Sequence, residues 1–447
     1  MRARVIVLPV LVASSIVLAC TSEGVESEPP SIDIGTDAGV EPTPRDSRDA
    51  SAPEAARPDA SAGRRLEVEC SHDPCYVAVS GNGGEHVCGL LKNGTVRCWG
   101  RDSRARAGAG VEPDGALGRG VVVSDLDGAT PAPVVGLGDV TQISVGKNLG
   151  TCALTSDGAV YCWGRNEFGQ LGRPPSEAHL AVPTRVEGLP AVSFVALGAS
   201  TGCAIAASDG ALHCWGTRDS FLGRSAAPGD SSAFPPQVIP VFAPRVRELA
   251  IGTSLRIRAK PFSDTIVTLR EDGVLASLGD TPAGEWSAES KFWSWPLEVP
   301  GAMRVGAFGY LDVNGILSAW IPQRKILYIP GASSVVDVAI SPGVNWNPQR
   351  EYVEQAGVLL SSGRLFRWGL NTGGALGYAP DELDLAEEPL DMTPIVGNQI
   401  VSFATTRAST CVSHVDGRVE CWGVNLHGEL GRGTVDAASH PAPEIIR

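Results

Sequence analysis

The chain has 447 residues, 53 of them Gly and 33 Pro, and carries 50 acidic against 36 basic side chains for a formal charge of −14. That length holds one large domain or two to three ordinary ones. The acidic balance argues against a phosphate-backbone binder, because such a protein works through a basic face.

The first element reads as an export signal over residues 1–19. Arg2 and Arg4 precede an apolar run from Val5 to Leu18, interrupted by Ser14 and Ser15, that is too short for a stable membrane span. It ends Val17-Leu18-Ala19-Cys20, which resembles the lipobox of bacterial lipoproteins with Leu18 one place later than usual. Cys20 is therefore the expected lipid-attachment residue, and acyl chains there anchor a protein without a transmembrane helix. Residues 20–65 are rich in Ser, Pro, Ala, Asp and Glu with no apolar period. Such a segment buries too little surface to offset its chain entropy and is expected to be a disordered tether.

From residue 66 onward a phrase recurs. Cys152-Ala153-Leu154, Asp157-Gly158 and Cys162-Trp163-Gly164 return at Cys88/Gly94/Cys98-Trp99-Gly100, Cys203/Gly210/Cys214-Trp215-Gly216 and Cys411/Gly417/Cys421-Trp422-Gly423. Weaker copies centre on Leu278, Trp320 and Trp368, so seven copies follow one another at intervals of 42 to 64 residues. Each copy reads as four strands: a Pro-led piece such as Pro183-Thr184-Arg185-Val186, an alternating piece ending on Gly such as Gln142 to Gly146, and a hairpin around the Asp-Gly or Asn-Gly turn. Four strands per repeat predict an all-β, seven-bladed β-propeller. The first copy lacks its Pro-led strand, and Pro441 to Ile446 has that character. The C-terminal strand is thus expected to pair into the first blade and close the ring.

The phrase, with Asn166-Glu167-Phe168-Gly169-Gln170-Leu171-Gly172 and its echoes at Asn371 to Gly377 and Asn425 to Gly431, resembles the regulator of chromosome condensation repeat over residues 66–447. The resemblance implies a seven-bladed propeller. It does not carry over the roles of the nuclear members in nucleotide exchange and chromatin binding, since an exported acidic lipoprotein meets neither partner.

Of eleven Cys, Cys20 goes to lipid and ten remain. Cys88/Cys98, Cys152/Cys162, Cys203/Cys214 and Cys411/Cys421 flank hairpin turns, where opposed strand residues approach disulfide distance. Cys214 stands one residue further from its partner than the equivalent cysteine in the other pairs, and a longer turn is expected to absorb the extra residue. The matching positions are Val267/Ser277, Gly309/Ala319 and Gly357/Arg367, so both cysteines are replaced together, as covalent partners would be. Cys70 and Cys75 are expected to form a fifth bridge in an oxidising compartment. Zinc needs four convergent ligands, which pairs in separate blades do not supply, so no metal is expected.

No catalytic residue and no cofactor is expected. Gly198-Ala199-Ser200-Thr201-Gly202 fits the nucleophile-elbow pattern, but that motif works on a strand-to-helix turn and here falls between two strands. The seven His show no ligand spacing and are expected at solvated or turn positions. The acidic stretch from Asp381 to Glu388 reads as a solvated loop. Trp286, Phe292, Trp293 and Trp295 crowd one insertion outside the repeat phrase and are the candidate partner-binding residues, because aromatic residues on a loop over a rigid scaffold act as binding anchors. The long Arg101 to Asp114 loop is a second candidate contact surface. The chain is thus expected to be a monomeric, non-catalytic, lipid-anchored scaffold of the bacterial cell envelope, at the outer rather than the inner membrane. It would bind a protein or glycan and no nucleic acid. The alternative is a secreted or surface inhibitor that resembles the propeller-type β-lactamase inhibitor protein.

Overall fold

The computed structural model describes residues 64–447 except 104–113, 176–179, 218–232, 240–244, 255–262, 280–296, 299–301, 307–308, 313–315, 320–325, 330, 332–333 and 343–352. The export signal, Cys20 and the tether up to residue 63 lie outside the described residues. Among the described residues no helix is long and apolar enough to cross a membrane.

The fold is an all-β propeller. Among the described residues its strands pair into seven sheets, antiparallel apart from one added strand and in chain order from an inner to an outer strand. Sheet one contains Tyr76–Ser80, His86–Leu91, Val96–Gly100 and Ala132–Pro133. Sheet two contains Val140–Val145, Gly150–Thr155, Val160–Gly164 and Leu180–Arg185. Sheet three spans Val192–Leu197 to Ala233–Val238 and sheet four Val246–Ser254 to Leu297–Glu298. Sheet five spans Ala302–Gly306 to Ile326–Tyr328 and sheet six Val335–Pro342 to Leu385–Asp391. Sheet seven spans Ile400–Thr406 to Asp436–Ile445 and gains Asn82–Gly84 as a parallel strand beside its inner edge.

Two sequence expectations are corrected here. The C-terminal strand does not pair into the first blade. Asp436–Ile445 lies against Val419–Asn425 as the outer strand of the last sheet. The Pro-led piece likewise completes the sheet before it: Ala132–Pro133 pairs with Val96–Gly100, and Leu180–Arg185 pairs with Val160–Gly164. The physical reason is that a repeat length fixes the period but not the point where one sheet ends. The Pro-led strand of copy one was never missing, because Ala132–Pro133 supplies it at the outer edge of sheet one, opposite the inner strand Tyr76–Ser80.

The cores lie between neighbouring sheets. Cys88, Leu90 and Cys98 of sheet one pack with Val140, Val145 and Trp163 of sheet two. Cys152, Cys162 and Leu171 pack with Val195 and Trp215 of sheet three. Cys203, Leu212 and Cys214 of sheet three pack in turn with Val246, Ile251 and Ile266 of sheet four. The last and first sheets share the same kind of core, with Cys411, Cys421 and Leu430 against Val79, Val87 and Trp99. A side chain on one inner strand also accepts an N–H from the next. Ser80 Oγ takes Val145 N at 3.0 Å, Ser144 Oγ takes Leu197 N at 3.0 Å, and Ser402 Oγ takes Val79 N at 2.8 Å from the last sheet to the first.

Candidate interaction surface

The repeat Trp residues build the frame on which any surface rests. Trp99, Trp163, Trp215 and Trp422 are all fully buried. Each indole N–H donates to a carbonyl in the Gly-rich connector of the preceding sheet: Trp163 to Ala116 at 3.0 Å, Trp215 to Gln170 at 2.8 Å and Trp422 to Ala375 at 3.0 Å. Trp99 donates to Glu429 at 2.9 Å, so the same hook joins the first sheet to the last. A buried indole needs such an acceptor, and here it also fixes the connector. The connectors are set by their Asn. Asn166, Asn371 and Asn425 accept the backbone N–H of Leu171, Leu376 and Leu430 at 3.1, 2.7 and 3.2 Å. In sheet one Asp102 takes that place and accepts Leu117 N at 2.8 Å and Val123 N at 2.8 Å. Burial pushes its carboxyl above the ordinary value.

The hairpin cysteine pairs stand directly opposite one another, with Cα atoms 4.1 Å apart in all four and sulfurs at bonding distance. Cys203–Cys214 departs from the other three in spacing, with a sequence separation of 11 in place of 10. The turn absorbs the difference. Gly210 N donates to Ala206 O, four residues back, whereas Gly94, Gly158 and Gly417 donate to Leu91, Thr155 and His414, three residues back. Cys214 thereby stays level with Cys203 in the strand register, and its Trp215 neighbour keeps its hook. Cys70 and Cys75 are also at bonding distance, with Cα atoms 5.3 Å apart.

The register places Val267 opposite Ser277, Gly309 opposite Ala319 and Gly357 opposite Arg367. Arg367 is fully buried. Among the described residues its guanidinium donates to neutral acceptors: Ala356 O at 3.0 Å, Thr410 Oγ1 at 2.5 Å and Gln355 Oε1 at 2.8 Å. Burial lowers its pKa to about 9. Gly357 is required there, since a Cβ would stand 2.8 Å from Arg367 Cδ and 2.8 Å from the Phe403 ring.

Ser200 sits in a turn between two strands, and Asp264 of sheet four caps that turn. Its carboxylate accepts Ser200 Oγ at 2.9 Å, Ser200 N at 2.8 Å, Ala199 N at 3.1 Å and Thr253 Oγ1 at 2.5 Å. The Ser200 hydroxyl and the N–H groups of Ala199 and Ser200 are thus all engaged by one carboxylate, as in a turn cap. Burial raises the Asp264 pKa, and the four donors oppose that shift.

Two of the histidines depart from the expected solvated or turn positions, whereas His72 is exposed and His427 lies in a turn. His86 and His414 are buried on the second strands of sheets one and seven. His86 Nε2 lies 2.8 Å from Thr151 Oγ1, and His414 Nε2 lies 3.0 Å from Glu420 Oε2. That contact holds the Glu420 carboxyl below its ordinary value. Beside the hairpin of sheet one Arg101 pairs with Glu85 at 2.9 Å, and between the last and first sheets His427 pairs with Asp125 at 2.8 Å. The partners of His86 and His427 are distant in sequence, so no spacing signal announced them. The acidic stretch folds onto Asn371, whose side chain donates to Leu383 O at 2.8 Å, and part of it forms the outer strand Leu385–Asp391. Among the described residues no group of three His, Cys, Asp or Glu side chains is placed to hold a metal. Trp286, Phe292, Trp293 and Trp295 lie outside the described residues, as do residues 104–113 of the Arg101 to Asp114 loop and Trp320.

Known proteins share this frame. The regulator of chromosome condensation (RCC1) repeat matches residues 157–205, and a second form of it matches residues 76–105 and 140–170. The chain therefore carries RCC1 repeats, in a propeller. It is similar to human E3 ubiquitin-protein ligase HERC2, 25% identical over 307 residues that make up 68% of this chain and 5% of that protein. It is also similar to Protein pim1 of Schizosaccharomyces pombe, 40% identical over 117 residues, 25% of this chain and 21% of that one. The chain thus spans only a small part of the curated relatives it matches first. Among solved structures, Prp20p of Saccharomyces cerevisiae, described with its binding to Gsp1p and histones, aligns with a TM-score of 0.62 at 18% identity over 80% of this chain and 87% of that one. That likeness concerns the fold.

Proposed function

We propose that this chain is a non-catalytic binding scaffold, exported by residues 1–19, lipid-anchored at Cys20 through a tether to residue 65, and folded from residue 66 as a closed seven-bladed propeller. The observation that carries the reading is the RCC1-repeat propeller itself, a scaffold that displays loops from every sheet. The Trp99 hook, the Ser402–Val79 rung and the shared core between first and last sheets support closure without strand exchange. Use of Asp264 to cap the Ser200 turn supports a structural role for that motif. The partner is a protein or glycan at the cell envelope, with Trp286, Phe292, Trp293 and Trp295 as anchors.

Pull-down from an envelope extract with oxidised full-length protein, beside a Trp286→Ala/Trp293→Ala/Trp295→Ala variant, tests this reading. A stoichiometric partner held by the first and lost by the second is expected. Capture by both would move the site elsewhere, and capture by neither would overturn the scaffold reading.

A further inference from the structure

Residues 64–76 form a strap that runs over three sheets on the face bearing the hairpin turns. Arg65 donates to Val401 O at 3.0 Å and pairs with Asp337 at 2.7 Å, reaching sheets seven and six. Glu69 N donates to Val415 O at 2.7 Å, His72 N to Asp416 O at 2.9 Å and Tyr76 N to Gly417 O at 2.9 Å, all at the hairpin turn of the last sheet. On the other side, Lys92 of sheet one donates its backbone N–H to Cys75 O at 3.0 Å and its ammonium to Val68 O at 3.1 Å. The strap therefore crosses the junction of the first and last sheets. Its bend is pinned by Cys70–Cys75, five residues apart in sequence. Gly417, at φ +90°, gives the bridge its seat, because a Cβ there would lie 2.9 Å from Cys75 Sγ.

The five bridges differ in access. The eight hairpin cysteines are at most 2% exposed, the highest value being that of Cys214, and all sit between sheets, whereas Cys70 and Cys75 are partly exposed. Disulfide exchange requires a thiolate to approach one sulfur, so access controls which bridge reacts. A hairpin bridge becomes reachable only when neighbouring sheets separate, and an opening that large is rare in a packed core.

We propose that Cys70–Cys75 is a thiol–disulfide exchange site whose co-reactant is a dithiol reductant, and that its reduction loosens the strap over the junction of the first and last sheets. One thiolate of the reductant attacks a sulfur of the bridge and forms a mixed disulfide, and the other cysteine leaves as a thiolate that takes a proton from water. The second thiol of the reductant then attacks the mixed disulfide and frees the remaining cysteine. Two electrons pass to the bridge, two cysteine thiols form, and the reductant becomes its own disulfide. The Trp99 hook and the shared core keep the junction packed, so the change is local.

The test is a dithiothreitol titration of the full-length chain, with alkylation and mass mapping of freed thiols and hydrogen exchange on the same samples. Cys70 and Cys75 are expected to be alkylated at ~10-fold less reductant than the other eight. Exchange is expected to rise at Glu69, His72, Tyr76 and Lys92 while the hairpins stay protected. A folded Cys70→Ser/Cys75→Ser variant should show that raised exchange without reductant. Simultaneous reduction of all five bridges would overturn the proposal, as would selective reduction that leaves exchange at those four amides unchanged.

Discussion

Sheets one, two, three and seven each place two bonded cysteines against the next sheet, whereas sheets four, five and six place Val267/Ser277, Gly309/Ala319 and Gly357/Arg367 at those positions. Both arcs use the same register, so the bridge is an addition to the hairpin and not the cause of it. The boundary between them falls where Cys203–Cys214 of sheet three packs on sheet four. In sheet six the substitute is a buried guanidinium that lies beside Thr410 of the next sheet, where in sheet one a sulfur of the bridge approaches Thr151 of sheet two. The bridged arc is fastened within each hairpin, and the unbridged arc depends on packing between sheets.

The largest effect that sharpens this contrast comes from the Trp hooks. Trp163→Ala should cost about 3–5 kcal/mol in denaturant unfolding, through lost burial and the cavity left between sheets one and two. Trp163→Phe should cost less, about 1–3 kcal/mol, chiefly for the unpaired carbonyl of Ala116. Equal losses for the two variants would remove the hook from the account. Next, Cys152→Ala/Cys162→Ala should lose about 2–3 kcal/mol by the same measurement. The converse graft, Val267→Cys/Ser277→Cys in sheet four, should form a bridge and raise the unfolding midpoint, because those residues are buried and directly opposed. A graft that bonds yet stabilises nothing would break the comparison.

Arg367 gives a subtler probe. Its charge is buried among neutral acceptors, so Arg367→Met should be close to neutral or stabilising, since it removes a costly buried cation while keeping most of the volume. A loss of several kcal/mol would show that the three hydrogen bonds outweigh the desolvation. The smallest effect expected is at Glu420. Its carboxyl is held below the ordinary value of 4.5, so its pair with His414 contributes stability above that pH and loses it as pH falls through the lowered value. Glu420→Gln should be less stable than the native chain near neutrality by at most ~1 kcal/mol, and urea midpoints for the two should converge in acid.

The propeller was legible because its signals are local and periodic. Gly turns fall between paired cysteines, and each Trp-Gly step repeats at the end of a hairpin, so hairpins and bridge partners follow from spacing. Even the displaced Cys214 was legible, since one extra residue between opposed partners has only the turn to go to. The ownership of the Pro-led strand was not legible, because Pro183 to Val186 sits between two hairpins and sequence gives no reason to prefer either. The strap was hidden for a different cause: residues 64–75 carry no apolar period and bind mainly through backbone N–H and C=O groups, which say little about residue type. The contacts of His86, His414 and Asp264 join positions on different strands or sheets, so their burial followed from tertiary packing alone. Of the candidate site, the sequence identified an aromatic insertion by composition, which lies outside the described residues, while the Trp frame of the sheets came from the structure.

Hydrogen exchange across the oxidised full-length chain tests the two-arc account most directly. Amides in His86–Leu91, Gly150–Thr155, Thr201–Ala206 and Ser409–His414 should exchange more slowly than those in Ser263–Arg270, Gly309–Asp312 and Val353–Leu360. Uniform protection around the propeller, or slower exchange in the second group, would contradict the claim that the bridged sheets form its rigid arc.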